Sequence, residues 1–409
     1  MDLELKRSKL MDTLDDNSIV VLFSGSSKFG VGDERLPFSV DRNFYYFTNL
    51  DRENMVFIGY KINNEASYVL AIEAYDEMMA KWVGGRMLAR EVSSICEISD
   101  IENYDSLNTY LDLELDRYRK DGAKVYFDFF KREDNNPTIA TKLANALKNN
   151  NPWLETKDIF PYIANLRLVK DEYELTCLKQ AINITRSGIE AMMKAIKPGI
   201  NEMVMEGIFN FALAKNMCNE TSFKTICAAG KRATVLHYSD NNQVCEEGDM
   251  LLTDLGATYR HYCGDITRTY PVNGKFTPRQ KELYNVVLNA QKLVQENAKP
   301  GVKLKDLNNL VIKYYEMELP KHGLKKPVSE YYYHGVSHHI GLDVHDLDGG
   351  VGQTLQAGNV ISNEPGLYVE DENIGIRIED DLLITGTGCV NLSEKIIKEV
   401  DDVEKLMRA

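Results

Sequence analysis

The sequence predicts an α/β protein with two domains, and three observations lead to this prediction. The chain has 409 residues, more than one ordinary domain contains, and its hydrophobic fraction of 44% is typical of a globular protein with an ample core. The first part mixes strand-like and helix-like segments, whereas the rest repeats one helix–helix–strand–strand order. We therefore assign residues 1–160 to an N-terminal α/β domain and residues 165–409 to a duplicated α/β domain.

The N-terminal domain is predicted from short apolar runs that turn signals separate. We expect a buried strand at Ser18–Phe23 (SIVVLF), a β-hairpin from residues 55–60 and 67–72 around the turn INNEA, a helix at 107–118 and a strand at 124–130. The sequence NNNP at 149–152 has loop composition, so we place the boundary between the domains near 155–170.

The second domain opens with a pair of helices that occurs twice. Apolar residues at helical spacing cover 175–196, KPG ends this pattern, and a second helix follows with the sequence EMVMEGIFNFALAKNM. The same order returns at 278–298, where KPG again ends the helix and LKDLNNLVIKYYEMEL resumes the helical spacing. Two copies of one unit therefore make up residues 170–409.

Strands carrying carboxylates complete each copy. When GDMLLTDLG is laid over GNVISNEPG, Asp254 falls on Glu364. Each segment is followed by a second strand-like run with another acidic residue, Asp265 in the first copy and Glu379 in the second. The matched positions predict that both copies direct acid groups at a shared centre.

Four carboxylates in apolar surroundings need compensating charge, because a buried ion without a partner is costly. Arg268 and Arg377 are the nearby arginines in sequence, and metal ions are the stronger explanation. The stretch HGVSHHIGLDVHD holds four of the seven histidines of the chain, and neutral imidazole is a common metal ligand. An oxygen-rich site with one histidine favours Mn²⁺ over Co²⁺, Fe²⁺ or Zn²⁺.

Four carboxylates and one histidine suffice for two divalent ions that share bridging carboxylates. Two ions at a separation of about 3.5 Å can hold a hydroxide between them and polarise a carbonyl group. The residues therefore predict a hydrolase that acts on an amide or an ester.

Composition excludes several other classes of function. The net charge of −14 disfavours binding to nucleic acid or to an anionic membrane, and no basic cluster overrides it. We expect no signal peptide in MDLELKRSKLMDTL, and no apolar run approaches the roughly 20 residues of a membrane span. The seven cysteines are scattered without a CxxC pair, which predicts reduced thiols in a cytoplasmic protein.

Several motifs together resemble a known family. HGVSHHIGLDVHD, LLTDLGATYRHYCGDITRTYPV, SNEPGLYV and GIRIEDDLLIT are similar to the signature motifs of the pita-bread metallopeptidases of family M24B, in the branch of Xaa-Pro aminopeptidase and prolidase. RNFYYFTNL and KWVGGRM resemble the N-terminal domain of aminopeptidase P, and NLRLVKDEYEL resembles the start of the catalytic domain. The resemblance covers nearly the whole chain, and the five ligand positions follow the family's order and spacing.

The resemblance implies a dinuclear metal site. Asp254 would bind the first metal ion, Asp265 and Glu379 would bridge both ions, and His338 and Glu364 would complete the second. The family resemblance also implies the architecture, an N-terminal α/β domain followed by a pita-bread domain.

The resemblance also implies catalytic roles. Glu364 would shuttle a proton from the attacking water to the leaving proline nitrogen, and His237 matches an active-site histidine of the family. His345 would donate a hydrogen bond to the scissile carbonyl or the oxyanion, and His334 would line the leaving-group side. Arg377 would orient a carboxylate or neutralise charge.

Other readings stay open for several residues. A structural hydrogen bond is an alternative role for His334, and His339 is expected in the pocket wall without a chemical role. His261 and His322 are expected to face solvent. Trp82 either reaches toward an active site, its own or a neighbour's, or is an ordinary core tryptophan.

Two departures from the family pattern stand near the site. TICAAGKRATVLHY lacks the asparagine–glycine turn often seen before the histidine that is His237 here, which leaves the loop shape open. SNEPG has asparagine where threonine or valine is usual before the glutamate.

The resulting expectation is an aminopeptidase that releases the N-terminal residue from peptides with proline in the second position. The nearest alternative is a prolidase that cuts only Xaa-Pro dipeptides with the same metal site, and the other is a non-catalytic binding module on this fold. The resemblance implies peptide substrates and a homodimer or homotetramer.

Overall fold

The computed structural model describes residues 2–130, 138–347 and 352–408. The chain divides into two compact units, Met1–Leu166 and Arg167–Ala409. Within the described ranges, no helix has both the length and the apolar character needed to cross a membrane.

The first unit is built on one mixed sheet of six strands. Its strands and helices follow in the order α1 Leu3–Asp12, β1 Ser18–Phe23, α2 Arg42–Thr48, β2 Val56–Ile62, β3 Glu65–Ile72, α3 Glu77–Val83, α4 Ala89–Cys96, β4 Asp100–Asn103, α5 Leu107–Arg117, β5 Lys124–Phe127, α6 Ile139–Asn150 and β6 Glu155–Asp158. A further helix, α7 at Phe160–Leu168, ends at the start of the second unit.

The sheet order β4-β3-β2-β1-β5-β6 places the most apolar strand near the centre. Strand β1 pairs antiparallel with β2 and parallel with β5, and its residues from Ser18 to Leu22 are buried. β2 and β3 form the predicted hairpin around Asn63 and Asn64, both of which have positive φ. The predicted strand at 124–130 is shorter than expected, because its ladder ends at Phe127.

Among the described residues, the second unit contains two pairs of long helices, two three-stranded sheets and two two-stranded hairpins. Its helices are α8 Glu172–Ala195, α9 Glu202–Lys215, α10 Pro278–Asn297, α11 Leu304–Glu318 and α12 Val400–Met407. Its strands are β7 Ile226–Ala229, β8 Met250–Leu255, β9 Thr258–Tyr259, β10 Tyr262–Cys263, β11 Ile266–Pro271, β12 Val360–Asn363, β13 Gly366–Val369, β14 Ile374–Arg377, β15 Asp380–Ile384 and β16 Cys389–Asn391. The three-stranded sheets have the orders β11-β8-β7 and β12-β15-β16.

The predicted duplication appears in matching backbone contacts after the first helix of each pair. Gly199 and Gly301, the glycines of the two KPG stops, have φ of +87° and +88°, a conformation that glycine adopts without steric cost. The N–H of Gly199 donates to the Cys245 carbonyl at 2.9 Å, and the N–H of Gly301 donates to the Leu355 carbonyl at 2.8 Å. The two halves therefore turn the chain by the same device.

The strands repeat as well, with one difference from the predicted pattern. Between β8 and β11 lies a short hairpin of β9 and β10, and between β12 and β15 lies a hairpin of β13 and β14. GIRIEDDLLIT is therefore two strands in different sheets, separated at Ile378 and Glu379. Each half consists of a strand, a hairpin, a carboxylate and a returning strand, so Asp265 and Glu379 occupy equivalent corners.

Candidate metal centre

A cavity of about 850 Å³ in the second unit brings together the predicted site residues. Its wall includes all nine of them: His237, Asp254, Asp265, His334, His338, His345, Glu364, Arg377 and Glu379. Apolar side chains such as Phe223, Ile226 and Leu236 line another part of the same wall. A polar cluster beside apolar surface is the arrangement expected of a small-molecule or peptide site.

The strands of the two three-stranded sheets position the four carboxylates. Asp254 lies within β8, opposite Thr267 of β11, and Asp265 immediately precedes β11. Glu364 immediately follows β12, and Glu379 immediately precedes β15. The backbone N–H of Glu379 donates to the Thr267 carbonyl at 3.0 Å, which joins the two halves at the carboxylates.

His338 is held in place along the edge of β12. The Ser362 N–H donates to the His338 carbonyl at 2.9 Å, and the His338 N–H donates to Ser362 Oγ at 2.9 Å. The ring nitrogen Nδ1 of His338 lies 3.0 Å from the His339 carbonyl, which can only accept, so Nδ1 carries a proton. In the neutral ring Nε2 therefore presents its lone pair to the cavity, the tautomer of a metal ligand.

The donor atoms converge closely enough to hold a metal ion. Asp265, His338 and Glu379 each offer one ligand atom, and these atoms lie within 4.8 Å of one another. His338 Nε2 is 3.4 Å from Asp265 Oδ2 and 3.4 Å from Glu364 Oε1. Asp254 Oδ1 is buried and has no hydrogen-bond partner among the described residues. A buried, unpaired carboxylate oxygen beside such a cluster fits a divalent cation.

The pKa values of the cluster also favour a bound cation. Burial raises the pKa of Asp265 to about 6 and that of Glu364 to about 7, and burial also raises the pKa of Glu379 well above its usual range. The ionised carboxylates are thus unfavourable without additional positive charge. Burial opposes protonation of His338, but Asp265 and Glu364 outweigh it and raise the His338 pKa to about 9.

Arg377 connects the carboxylates to His334. Its guanidinium donates to Asp254 Oδ2 at 2.6 Å and to the Tyr368 hydroxyl at 2.8 Å. The Tyr368 hydroxyl lies 2.9 Å from His334 Nε2, and His334 Nδ1 lies 2.8 Å from the Gly335 carbonyl. Because that carbonyl accepts from Nδ1, Nε2 accepts from Tyr368, and protein groups engage both ring nitrogens of His334.

The remaining histidines differ in their surroundings. His345 is exposed at the cavity wall, with its ring centroid 4.3 Å from that of His338, and burial lowers its pKa to about 4. Burial also lowers the His334 pKa to about 4, so both rings are neutral at pH 7. His237 lines the cavity and is exposed. His339 is buried, with Nε2 at 2.7 Å from the Gly352 carbonyl, and forms part of the wall.

The expectation of solvent-facing histidines outside the site was wrong. The His261 side chain is 11% exposed, with Nδ1 at 3.8 Å from Glu220, and the His322 side chain is 20% exposed, with Nδ1 at 2.7 Å from Glu282. His322 Nε2 also lies 3.3 Å from Glu318, so both rings have acidic neighbours. Trp82 is 79% exposed on α3, so the alternative of a core tryptophan was also wrong.

Three residues at the site had no role in the sequence-based prediction. Thr267 donates to Glu379 Oε2 at 2.7 Å, Ser362 donates to Glu364 Oε1 at 3.2 Å, and Tyr368 bridges Arg377 and His334. Tyr368 and Ser362 stand inside or beside the motif SNEPGLYV, which was the available signal. Thr267 follows Asp265 by two positions, but its partner is 112 residues away.

Comparison with protein families gives two matches. A model described as metallopeptidase family M24 matches residues 176–386, and a model described as the aminopeptidase P N-terminal domain matches residues 3–125. The first covers more than half of the chain and includes all nine predicted site residues.

Similar proteins cover the chain from end to end. The Xaa-Pro aminopeptidase of Escherichia coli is 30% identical over 100% of this chain and 98% of its own length, and that of Haemophilus influenzae is 29% identical over 99% and 97%. A Bacillus anthracis structure superposes with a TM-score of 0.96 at 38% identity, covering 99% of this chain and 97% of that one. Zn-substituted Escherichia coli aminopeptidase P in complex with product superposes with a TM-score of 0.91 at 27% identity, covering 100% and 98%.

Proposed function

The chain belongs to metallopeptidase family M24, and from this premise we propose which of its residues carry out the reaction. It is a metal-dependent aminopeptidase that removes the N-terminal residue from peptides with proline in the second position. The observation that carries the residue assignment is the convergence of Asp265, His338 and Glu379 beside the unpaired Asp254 oxygen.

The proposed metal centre consists of five residues, Asp254, Asp265, His338, Glu364 and Glu379. Four carboxylates and one imidazole would hold two divalent cations, and this oxygen-rich donor set favours Mn²⁺, with Co²⁺, Fe²⁺ or Zn²⁺ as alternatives. When bound, such ions supply Lewis acidity that polarises a carbonyl and lowers the pKa of water. Thr267 and Arg377 support the centre by orienting Glu379 and Asp254 with hydrogen bonds.

Glu364 is the proposed proton carrier. Its Oε1 accepts from Ser362, and its Oε2 lies 3.7 Å from His334 Nδ1 at the cavity wall. From this position Oε2 can take a proton from the attacking water and deliver it to the proline nitrogen as the amide bond breaks. Replacing Glu364 by glutamine removes the proton acceptor and keeps the shape of the side chain.

The histidines at the cavity wall would contact the carbonyl group and the proline ring of the substrate. An amide before proline has no N–H, so the carbonyl oxygen is its one strong hydrogen-bonding atom. Neutral His345 has one N–H with which to donate to that oxygen or to the oxyanion, and His237 faces the same cavity. Because protein groups engage both nitrogens of His334, we assign it to the shape of the leaving-group side, held by Tyr368 and Arg377.

Two alternative functions, a dipeptidase and a non-catalytic binding module, are less well supported. The dipeptidase alternative is not favoured, because the full-length relatives are named Xaa-Pro aminopeptidase and the N-terminal unit matches the aminopeptidase P domain. The binding-module alternative is disfavoured because all five metal-binding positions hold donor residues. We also propose a cytoplasmic location, which seven free cysteines support, and a homodimer or homotetramer, which the family resemblance implies.

A substrate-length series tests the assignment. The Mn²⁺-loaded protein should release the first residue from an Xaa-Pro-Yaa tripeptide faster than it cleaves an Xaa-Pro dipeptide. The variant Glu364→Gln should lower kcat by a factor of about 10² to 10⁴ at a Mn²⁺ concentration that saturates the variant, because Glu364 is also a proposed metal ligand, with the circular dichroism spectrum retained. Cleavage of the dipeptide alone would reverse the choice of substrate, and an active Glu364→Gln variant would remove Glu364 from the mechanism.

A further inference from the structure

Glu202, the first residue of α9, has a carboxylate that takes no part in the proposed reaction and is nevertheless highly engaged. Its side chain is fully buried, with an exposed fraction of 0%. Oε1 accepts from the Ala229 N–H at 2.9 Å and from Arg232 Nε at 2.8 Å. Oε2 accepts from the Tyr238 hydroxyl at 2.8 Å and from the Gln243 N–H at 3.0 Å.

All four donors belong to one short segment, residues 229–243, that contains His237. Between β7 and β8 the structure assigns this segment a single 3₁₀ turn, Gly230–Thr234, and no strand. Residues 230–243 therefore lie outside the ladders of the sheets, and other hydrogen bonds hold the course of the segment, four of them accepted by the Glu202 carboxylate. Tyr238, the neighbour of His237, is among the bonded residues.

The same contacts explain how the segment dispenses with an asparagine–glycine turn. Arg232 stands in the turn and bonds to Glu202 through Nε and to the Val244 carbonyl through Nη2 at 3.1 Å. Asn241, with φ of +46°, fixes the far end by accepting from the Cys227 N–H at 2.9 Å and donating to the Thr225 carbonyl at 2.8 Å. His237 lies between these two anchors.

The chemistry at Glu202 requires a carboxylate. A buried ion is costly unless it is fully hydrogen-bonded, and two oxygens that accept four bonds meet that condition. Glutamine has the same shape, but its NH₂ group would face the N–H of either Ala229 or Gln243, so at least one donor would lose its partner. Arg232 would lose its charged partner at the same time.

We propose that Glu202 is a positioning residue for the reaction, one that holds His237 at the wall of the cavity through the 229–243 segment. The proposal rests on the proposed function, in which His237 is an active-site residue at the wall of the same cavity. Glu202 lies outside the set of residues that line the cavity, so it acts on the substrate through the segment and not by contact. Its effect on catalysis should therefore vanish when the His237 ring is removed.

A double-mutant cycle tests this dependence. The Mn²⁺-loaded full chain and its variants E202Q, H237A and E202Q/H237A are compared by kcat and KM on one Xaa-Pro-Yaa peptide, together with metal content and thermal unfolding. We expect E202Q to lower kcat/KM at least tenfold in the native background and less than twofold in the H237A background, with metal content unchanged. A merely structural role would give the same loss in both backgrounds.

The controls separate the two levels of the argument. Glu206, one turn further along α9, accepts one bond from Asn241, which a glutamine oxygen can keep, so E206Q should stay within twofold of the parent. If E202Q does not fold, Y238F replaces it in the cycle, because it removes one of the four bonds beside His237. Equal losses in both backgrounds overturn the role of Glu202 alone, whereas an H237A variant with unchanged kcat/KM overturns the role of His237 and this proposal with it.

Discussion

At the scale of single residues, the proposed metal centre depends on the side chains that orient the proposed ligands as much as on those ligands. Thr267 donates to Glu379 and also accepts from Arg377 Nε at 3.2 Å. Because Arg377 also donates to Asp254, this one buried hydroxyl connects a carboxylate of the second half to one of the first. Ser362 has the corresponding task beside Glu364 and His338. Such partners fix the direction of a ligand oxygen and the tautomer of a histidine.

Thr267→Val should therefore weaken metal binding. The change keeps the side-chain volume and removes the hydroxyl, so Glu379 loses its 2.7 Å bond and its fixed orientation. We expect a 10- to 100-fold loss in metal affinity, measured by metal titration of the chelator-treated protein and followed through activity. The control is Thr253→Val, whose buried hydroxyl donates to the Arg268 carbonyl and contacts no ligand. Equal affinity of the two variants would contradict this role of Thr267.

At the scale of elements, the corner between β8 and β11 sets the position of Asp265. Gly256 immediately follows β8, and a Cβ atom added there would lie 1.8 Å from the carbonyl oxygen of Gly264. That oxygen is backbone and cannot swing away, so the corner has room for glycine only. Gly264, the residue before Asp265, can therefore lie this close to position 256 only because that position has no side chain.

Gly256→Ala should disturb both stability and the metal site. We expect the free energy of unfolding to fall by about 1–3 kcal/mol or more, because the clash forces the backbone apart, and metal binding to weaken with it. Urea unfolding and metal titration measure the two effects. Gly386→Ala is the matched control, since nothing lies within 4 Å of its added Cβ. A Gly256→Ala protein as stable as this control would contradict the prediction, because it would show that the backbone at the corner can move apart at little cost.

The loop that carries His345 is anchored by a buried group of charges. Asp346 accepts from Arg167 Nη2 at 2.6 Å and from Lys170 Nζ at 2.8 Å, and these side chains are 1%, 2% and 0% exposed. Burial opposes the ionisation of Asp346, but Arg167 and Lys170 outweigh burial and lower the Asp346 pKa to about 2. The loop therefore depends on an ionised carboxylate.

This carboxylate should make stability depend on acid. Because the Asp346 pKa is lower in the folded state, its contribution is present above the unfolded pKa of about 4 and is lost as pH falls toward 2. A shift of this size corresponds to about 2 kcal/mol. Urea unfolding between pH 5 and pH 2 should show this loss, and Asp346→Asn should lack it while losing about 3–5 kcal/mol at pH 7.

The control for this experiment is Asp343→Asn. Asp343 also accepts from Arg167, at 2.7 Å, but its side chain is 34% exposed and solvent screens the pair. Its removal should cost less than Asp346→Asn at pH 7. Retention of the full acid dependence by Asp346→Asn would assign that dependence to other carboxylates.

At the scale of the whole molecule, two equivalent halves supply one cluster. Each half brings two carboxylates to a shared cavity, and the positive charge within that cluster comes from Arg377 and His338. Burial, together with the neighbouring carboxylates, raises the pKa of three of the four carboxylates. Binding of a cation should therefore stabilise the fold that brings the halves together.

Bound metal should raise the thermal stability of the protein. At a Mn²⁺ concentration 100 times the dissociation constant, a ligand that binds only the folded state adds about 2.7 kcal/mol. Thermal unfolding in Mn²⁺ and in chelator measures the difference, which should increase with metal concentration. The variant Asp254→Asn should respond much less, and an equal response from that variant would place the bound metal elsewhere.

The sequence by itself determined the elements and the residue types of the site. Helical spacing and KPG stops predicted α8 to α11, and apolar runs predicted β8 and β12 closely. These signals are local, since a helix or strand face repeats within a few residues. The motif resemblance added the order of Asp254, Asp265, His338, Glu364 and Glu379, all of which line one cavity.

Tertiary structure alone decided the partners. His261 and His322 were wrongly expected to face solvent, because Glu220 and Glu282 lie about 40 residues away in the chain, although Glu318, four residues before His322, is a local partner. The partners of Thr267 and Glu202 have no local signal either, since their hydrogen bonds join segments that only the folded chain brings together. Periodicity predicts which face a residue occupies, whereas the group that meets it there depends on the packing of distant elements.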